Sequence, residues 1–571
     1  MELKDTDNAS VTWGLTFGHR AIQMSERTVA AGVALAFVLG LLAHALILPP
    51  YEGFDESAHY SYLSYLSDRC RIPDLKDTPL DAMVERDLAG LPQRYRGGTP
   101  EAAGYLTYRS FFQDLSSEER NEAVEDYWHQ KRSVRYWPGE ELNWQGQHPP
   151  LYYLSMVSVY RFMDEATAAG RILLLRLMSI LIACGSLLFW YATVRLFRPG
   201  STRWLLVVSG LIVLFFPSLC FDLARIGNDS LVALLFSGVF YFLMASYVHR
   251  QARLSDFWGV AVLLAMGLWT KLFFLPVIIG VAAGTAWLAL VKNKLSVRQT
   301  VYRLALVVVV PLVLAVPWFV LYYQRYGVLL GGAESVQLQA ALVPFAERAS
   351  FGELLTRSVR AIAAFMATFL WSGTWSWIKR PLWHYVYVVP FAVLLLRGIT
   401  LAVRGRLTKQ NREVLVLALV ALIPIAVALV YHLLIRVRLL DSGTAGYYLF
   451  SAWPVLGLML ALALFKLDCR GARMLAGTAL ATLLFFDISG WWFEMQVYSG
   501  LVYEVGKAQT LVGVVPLTFS NLSLVWDRLQ VLAYPAPALT AYLLAVFLKL
   551  LLLFAVVYAG PGSERCDETL A

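Results

Sequence analysis

The stretch "VAAGVALAFVLGLLAHALIL" covers Val29–Leu48, and "PPYEGFDESAHYSYLSYL" continues it from Pro49 to Leu66. The first of these has twenty residues and no Asp, Glu, Lys or Arg. At 1.5 Å per residue it can cross roughly 30 Å of hydrocarbon as a helix. The second begins with two prolines, which end that helix, and then sets Asp55, Glu56 and His59 among tyrosines. An apolar crossing that opens directly onto two acids and a histidine decides the class of the molecule. It marks a membrane protein and raises the question of why such polar residues sit at a helix mouth.

The rest of the chain repeats the first half of this pattern. Its 571 residues are 58% hydrophobic and only 15% charged, with a mean hydropathy of +0.58. A soluble chain carries about 25% charge. Leu177–Val194, Ser230–Val248, Leu304–Gln324 and Val414–Ile435 are further long apolar runs. The expected fold is an all-α, polytopic membrane protein. Continuous runs exclude a porin-like barrel, whose strands alternate every second residue. The first run lacks a small-residue cleavage site before "ILPPYEGF" and exceeds the usual signal-peptide core, so it is expected to stay as a helix. The net charge of +8 sits in short basic loops and does not point to nucleic acid. Cys70, Cys184, Cys220, Cys469 and Cys566 have no metal or disulfide spacing.

Basic loops stay in the cytoplasm. "RLFRPGSTR" (195–203), "HRQAR" (249–253), "KNKLSVRQTVYR" (292–303), "RGRLTKQNR" (404–412) and "KLDCRGAR" (466–473) are placed inside together with the N-terminus. Spans then fall near 29–48, 171–194, 204–221, 230–248, 257–270, 272–291, 304–324, 383–403, 414–435, 447–465, 474–490 and 529–548. That makes about twelve helices, within a range of about 12–14. Pro150–Met163 is short enough for an interfacial or re-entrant helix, and Ala361–Ile378 is placed at the outer leaflet. The first outer loop, 49–149, is too long for a simple connection. Its "DRCRIPDLKDTPLDAMVERDLAGL" and "DLSSEERNEAVEDYWHQKR" segments predict short amphipathic helices. A second outer loop covers Arg325–Leu382 and a third 491–528.

The unusual polar residues collect on the outer side. "FDESAHY" opens the first loop and "NWQGQHPPLYYL" closes it with His148; "FDLARIGNDS" brings Arg225, Asn228 and Asp229. "LWTKLFF" carries Lys271, "FLWSGTWSW" Trp371 and Trp375, and "IRVRLLDSGTAGYY" Arg436, Arg438, Tyr447 and Tyr448. Each has a plain reading. Asp55 caps a helix; His59 and His148 decorate an interface; Arg225 pairs with Asp229; Lys271 snorkels; Arg436 and Arg438 touch lipid phosphates. Their gathering on one side is harder to explain singly. A carboxylate facing cations at a bilayer surface suits transfer of a sugar from a lipid phosphate to a hydroxyl. The acid removes the acceptor proton, and the cations stabilise the departing phosphate.

These motifs resemble the GT-C glycosyltransferase superfamily. The Asp-Glu pair opening the loop and the "HPP" closing it are similar to protein O-mannosyltransferases and lipid A aminoarabinose transferases. The fuller set looks closer to bacterial GT-C-like proteins of unassigned substrate: Asp55-Glu56 with His59, His148-Pro149-Pro150, Asn228-Asp229, Thr270-Lys271, Trp371–Trp375 and Gly446–Tyr448. The resemblance spans roughly residues 30–465 and implies a GT-C-like fold. It divides the chain into a cytoplasmic N-terminus (1–28), a catalytic transmembrane region (29–465) that includes the 49–149 loop, and a C-terminal transmembrane region (466–571). It implies Asp55 as base, with Glu56, His59 and His148 orienting or touching the acceptor. Arg225, Lys271, Arg436 and Arg438 would bind donor phosphate, with Asn228, Asp229, Trp371, Trp375, Tyr447 and Tyr448 as further site residues. The late motif departs from the family: Tyr447 stands where an Arg is frequent. If that Arg binds donor phosphate, either Arg436 or Arg438 substitutes for it or the donor differs.

The implied activity is an inverting transfer from a polyprenyl-phosphate sugar to a glycan, lipid or protein acceptor. The implied place is the periplasmic face of the inner membrane. No metal cofactor is expected; the alternative is a divalent cation held by Asp55, Glu56, His59 and Asp229. Competing classes are a flippase for lipid-linked saccharides, a glycan polymerase or ligase, and a non-catalytic assembly subunit.

Overall fold

The computed structural model describes residues 13–17, 20–93, 106–196, 202–248, 253–292, 295–329, 409–439, 452–464, 469–501, 503–505, 510–512 and 515–559, with isolated residues between 350 and 400. The segment 361–378 and most of the expected span at 383–403 lie outside the described residues.

A hairpin of β1 (Trp13–Phe17) and β2 (Arg20–Met24) leads into α1 (Glu26–Ile47). Ser25 caps α1 by accepting from the Thr28 amide, and Pro49-Pro50 stop it. The first loop then folds as α2 (Glu56–Arg69), β3 (Pro79–Asp81), α3 (Ala82–Gly90), α4 (Tyr108–Gln113), α5 (Ser117–Trp128), β4 (Pro138–Leu142), a 3₁₀ turn (Trp144–Gln147) and α6 (Leu151–Phe162). The two segments expected to be amphipathic helices supply α3 and α5. Reciprocal capping boxes, Thr107 with Ser110 and Ser116 with Glu119, start α4 and α5. The antiparallel pairing of β3 with β4 was not anticipated.

The membrane helices follow: α7 (Ala168–Arg195), α8 (Thr202–Leu214), α9 (Pro217–Ala224), α10 (Asp229–Val248), α11 (Leu254–Leu268), α12 (Phe274–Trp287), α13 (Val297–Tyr326), α14 (Lys409–Leu439), α15 (Trp453–Leu464) and α16 (Cys469–Tyr498). After a second hairpin, β5 (Tyr503–Val505) and β6 (Thr510–Val512), come α17 (Phe519–Leu529) and α18 (Pro535–Ala559). Among the described residues six helices are long and apolar enough to cross a membrane: α1, α7, α10, α13, the 412–430 part of α14, and α18 to residue 555. α11, α12 and α15 are shorter apolar helices. The protein is a multi-pass, all-α membrane protein.

Several expected boundaries are corrected. The span at 204–221 is two helices, because Pro217 cannot donate to the preceding turn and starts α9 afresh. The break between 257–270 and 272–291 is a tight turn, in which the Thr270 and Lys271 amides both donate to the Gly267 carbonyl. α16 runs on through Trp491 to Tyr498, so the outer loop begins later than 491. The last span starts at Pro535, since α17 occupies the residues up to Leu529.

Packing positions the site. α10 lies between α7 and α11, α11 against α13, and α12 against α14. α8 and α15 meet so closely that a Cβ on Gly457 would lie 2.4 Å from the Ser209 carbonyl oxygen. Small residues permit this approach in membrane bundles. In that core Trp190 donates to Ser209 and Trp453 to Ser186, each at 3.1 Å, so both buried indole N–H groups are satisfied. α18 packs along α1. Two buried pairs reinforce the contact with α16: Lys549 with Asp487 at 2.7 Å, and His44 with Glu494 at 3.2 Å.

Candidate active site

Everything at the mouth of α1 follows from a sharp corner. Tyr51 and Asp55 both hold positive φ, 58° and 56°. Asp tolerates the left-handed region better than most residues, although it costs roughly 1–3 kcal/mol. Gly53 sits between them, where a Cβ would fall 2.7 Å from the Arg225 Cβ. The corner is thus built to press against the α9–α10 turn. Asp55 occupies the position before α2, yet its side chain makes no capping bond, contrary to the plain capping reading. Its Oδ1 instead accepts from the Trp144 indole N–H at 2.9 Å. The 3₁₀ turn of Trp144, started by Asn143 accepting from the Gln145 amide, delivers that donor from the far end of the first loop.

Glu56 faces the other way and is 0% exposed. Arg176 of α7 grips it with two hydrogen bonds, at 2.9 and 2.6 Å. The Gly53 and Ile226 amides donate to the same carboxylate. Burial pushes the Glu56 carboxyl up, but Arg176 and the two amides outweigh it and hold it below the ordinary range. Arg176 also donates to the carbonyls of Ala45, Leu48 and Pro49, which a terminated helix leaves without partners. Glu56 therefore orients the corner. The acceptor-contact reading is corrected, since no surface of the residue is available.

His59 is also buried, and its Nδ1 lies 2.7 Å from the Tyr153 hydroxyl. Its ring stacks near that of His148, with centroids 6.3 Å apart and planes 12° from parallel. Tyr62 lies flat on Tyr153 at 3.5 Å and donates to the His148 carbonyl. Burial, then Arg225, His148 and Lys271, push the His59 imidazole well below its ordinary value. It is neutral at neutral pH.

The third part is an ion cluster. Arg225, 2% exposed, donates to Asp222 and to Asp229, both at 2.7 Å, and to the Phe54 carbonyl at 2.8 Å. Lys271 reaches the other oxygen of Asp229 at 2.6 Å. The plain reading of Arg225 paired with Asp229 is thus seen, but it is incomplete: the same arginine is bonded to the residue before Asp55. With its side chain 13% exposed, Lys271 is the more accessible of the two cations. Asn228 is 1% exposed, and its amide nitrogen and oxygen are both buried with no hydrogen-bond partner among the described residues. Tyr152 accepts from the Gly227 amide at 3.0 Å, and the Leu151 amide donates to Trp269. The "HPPLYYL" segment therefore ties the Asn228 turn to the Lys271 turn.

A sequence model of the family described as "Predicted membrane protein (DUF2142)" matches residues 37–459. The chain belongs to the DUF2142 family. The matched part runs from within α1 to within α15, so the Asp55 corner, the Arg225 cluster and Lys271 all fall in the DUF2142 region. No curated protein matches the chain. Among solved structures, ArnT from Cupriavidus metallidurans bound to undecaprenyl phosphate aligns over 94% of this chain and 78% of its own, at 15% identity and a TM-score of 0.43. Its apo state aligns over 83% and 76%, at 18% identity and a TM-score of 0.35.

Asp55, Glu56, His59, His148, Arg225, Asn228, Asp229 and Lys271 of this DUF2142 protein thus come together at one end of the bundle. Trp371, Trp375, Tyr447 and Tyr448 lie outside the described residues, as do the side chains of Arg436 and Arg438. The alternative metal set of Asp55, Glu56, His59 and Asp229 is not assembled. Glu56 is turned to Arg176 and Asp229 is held between two cations. Among the described residues, no group of three or more His, Cys, Asp or Glu is arranged to hold a metal ion. Sequence reasoning missed Trp144, Arg176 and Asp222. For Arg176 the signal was present: an arginine inside an apolar span is costly and asks for a named partner.

Proposed function

We propose that this protein is a GT-C-type membrane glycosyltransferase. It moves a sugar from a polyprenyl-phosphate donor to an acceptor hydroxyl at the extracytoplasmic face. The observation that carries this reading is the Asp55 corner: a carboxylate fixed by Trp144, one residue from a carbonyl held by Arg225, beside the Asp229–Lys271 pair.

In this reading Asp55 takes the acceptor O–H proton as the acceptor oxygen attacks the anomeric carbon. The bond from that carbon to the phosphate oxygen breaks, and polyprenyl phosphate leaves with the electron pair. Attack opposite the leaving group inverts the anomeric centre. Lys271 is the described cation best placed to meet the phosphate. Arg225 acts as a positioning residue, because its guanidinium is already committed to Asp222, Asp229 and Phe54. Arg436 and Arg438 are assigned to the donor phosphate on sequence grounds. Cationic side chains supply the charge stabilisation, so the reaction is proposed to run without a metal.

The test is to express Asp55→Asn and Asp55→Ala and compare cell-envelope glycans with wild type by mass spectrometry. Loss of one glycan species in both variants is expected. Unchanged glycans at normal protein levels would sink the assignment. Sidedness is checked by single cysteines at positions 100 and 408: an impermeant reagent should label only the first in intact cells.

A further inference from the structure

A separate cavity of about 630 Å³ opens where the end of α2, β3, β4 and the end of α13 meet. Its lining includes Tyr65, Arg71, Asp74, Asp77, Tyr136 and Arg325. We propose that this groove binds the saccharide portion of an oligosaccharide, away from the Asp55 corner. That this oligosaccharide is the acceptor rests on the glycosyltransferase reading above; that the groove binds saccharide does not.

The lining chemistry narrows the occupant. Asp74 pairs with Arg325 at 3.5 Å, and Asp77 and Arg71 are exposed in the same lining, so the charges of these four cancel. A polyphosphate or a polycation would meet as much repulsion as attraction. The apolar groups, Ile72, Pro79, Pro138, Cys70 and the tyrosine rings, share the wall with four charged side chains, against which a lipid chain would gain little. Mixed donors and acceptors beside an aromatic ring fit a ligand with hydroxyls on its rim and C–H groups on its faces.

The groove is preformed. Arg325 donates to the carbonyls of Pro73 and Ile72, at 2.9 and 3.2 Å, and Tyr326 accepts from the Leu75 amide at 2.9 Å. These bonds staple the loop after α2 to the top of α13. Tyr65 meets the Tyr136 ring edge to face at 5.0 Å, and Tyr136 donates to the Pro79 carbonyl at 3.0 Å. Ligand binding therefore need not order the walls first.

The groove is also joined to the candidate site. The Asn143 amide donates to the Thr78 carbonyl in the groove wall at 2.9 Å, and the next residue, Trp144, holds Asp55. Tyr65 stands ten residues along α2 from Asp55, about 15 Å at the helical rise. An acceptor filling the groove and reaching Asp55 must be longer than a monosaccharide.

The test uses the full chain in lipid nanodiscs on a microarray of bacterial envelope oligosaccharides, with heparin and polylysine as charged controls. Wild type should retain neutral or zwitterionic oligosaccharides and neither control. Asp77→Lys and Arg71→Glu, both at exposed positions, should each weaken retention at least tenfold. A retained oligosaccharide should also slow maleimide labelling of Cys70, which is exposed in the same lining. Absence of retention by wild type, or unchanged retention by both groove variants, overturns the proposal. If retention behaves as expected while Asp55→Asn leaves envelope glycans unchanged, the groove stands and the transferase reading falls.

Discussion

The Trp144 indole N–H points at the Asp55 carboxylate across 2.9 Å, although 89 positions separate the two residues. Asp55 itself sits at a left-handed φ of 56° that its own helix does not repay with a capping bond. Together these two facts describe a carboxylate fixed by the far end of the first loop and not by its own helix.

Trp144→Phe keeps the ring and removes the donor. A hydrogen bond to a charged group contributes about 1.5–3 kcal/mol. On the proposed mechanism, the variant should fold normally and transfer sugar at least about tenfold more slowly, since about 1.4 kcal/mol is tenfold in rate. Quantifying the glycan lost in Asp55→Asn cells checks this. A wild-type yield from Trp144→Phe would show that the contact does not position the base.

Arg176 should matter more to the fold than its partner. Glu56→Gln breaks the charge pair but keeps one acceptor oxygen, for either the Gly53 or the Ile226 amide, which bond to different oxygens of the carboxylate. Arg176→Met leaves Glu56 buried with no countercharge and frees three carbonyls at the end of α1. Losing one partner of a buried pair costs about 3–5 kcal/mol. Thermal melts in detergent should rank wild type above Glu56→Gln and Glu56→Gln above Arg176→Met. Arg176→Lys should fail to rescue, because one ammonium cannot replace a planar fork serving a carboxylate and three carbonyls.

The Lys549–Asp487 pair tests how the C-terminal helices are held. Both side chains are almost fully buried, 1% and 3% exposed. Lys549→Met alone should destabilise by about 3–5 kcal/mol, while Lys549→Met with Asp487→Leu should recover most of that loss. The readout is the melting temperature of all four combinations. Equal loss in the single and double variants would mean that the pair is not the contact holding α16 to α18.

His59 predicts an acid limit to stability. Its folded pKa lies well below its ordinary value of 6.5, because burial and the nearby Arg225, His148 and Lys271 oppose its charging, against a smaller pull from Asp229. The unfolded chain therefore binds the proton first, and stability rises with pH in that range. The contribution is fully present above about pH 6.5 and is lost as pH falls from there toward the folded value. Melts between pH 5 and pH 7 should show this slope, and His59→Gln should flatten it. An identical slope in the variant would assign the acid sensitivity elsewhere.

Much of the site was legible because membrane solvation is strict. Asp229 and Lys271 stand at helix ends beside apolar runs, where a charge needs a reason and a partner. Topology from the basic loops was enough to put them on the same side as Asp55 and His59. Trp144 was not legible, since a tryptophan near a helix start looks the same whether it meets lipid or a carboxylate. Arg225 was legible as a member of the cluster but not in its task. Its i,i+4 spacing to Asp229 suggested a local pair, while its bond to the Phe54 carbonyl depends on a close approach that Gly53 alone permits.

The sequence by itself determined that this chain crosses a membrane many times and that Asp55, His59, Asp229 and Lys271 stand at the same end of the helices. Backbone groups in hydrocarbon must bond within a helix, and a charge there is costly without a partner. Only the tertiary structure decided which charges are spent on holding the fold. Glu56 follows Asp55 directly in the chain, yet one turns inward to Arg176 and the other toward Trp144. That division depends on partners more than eighty residues away, which local pattern cannot name. It follows from packing, which buries Glu56 completely and obliges α7 to supply the compensating charge.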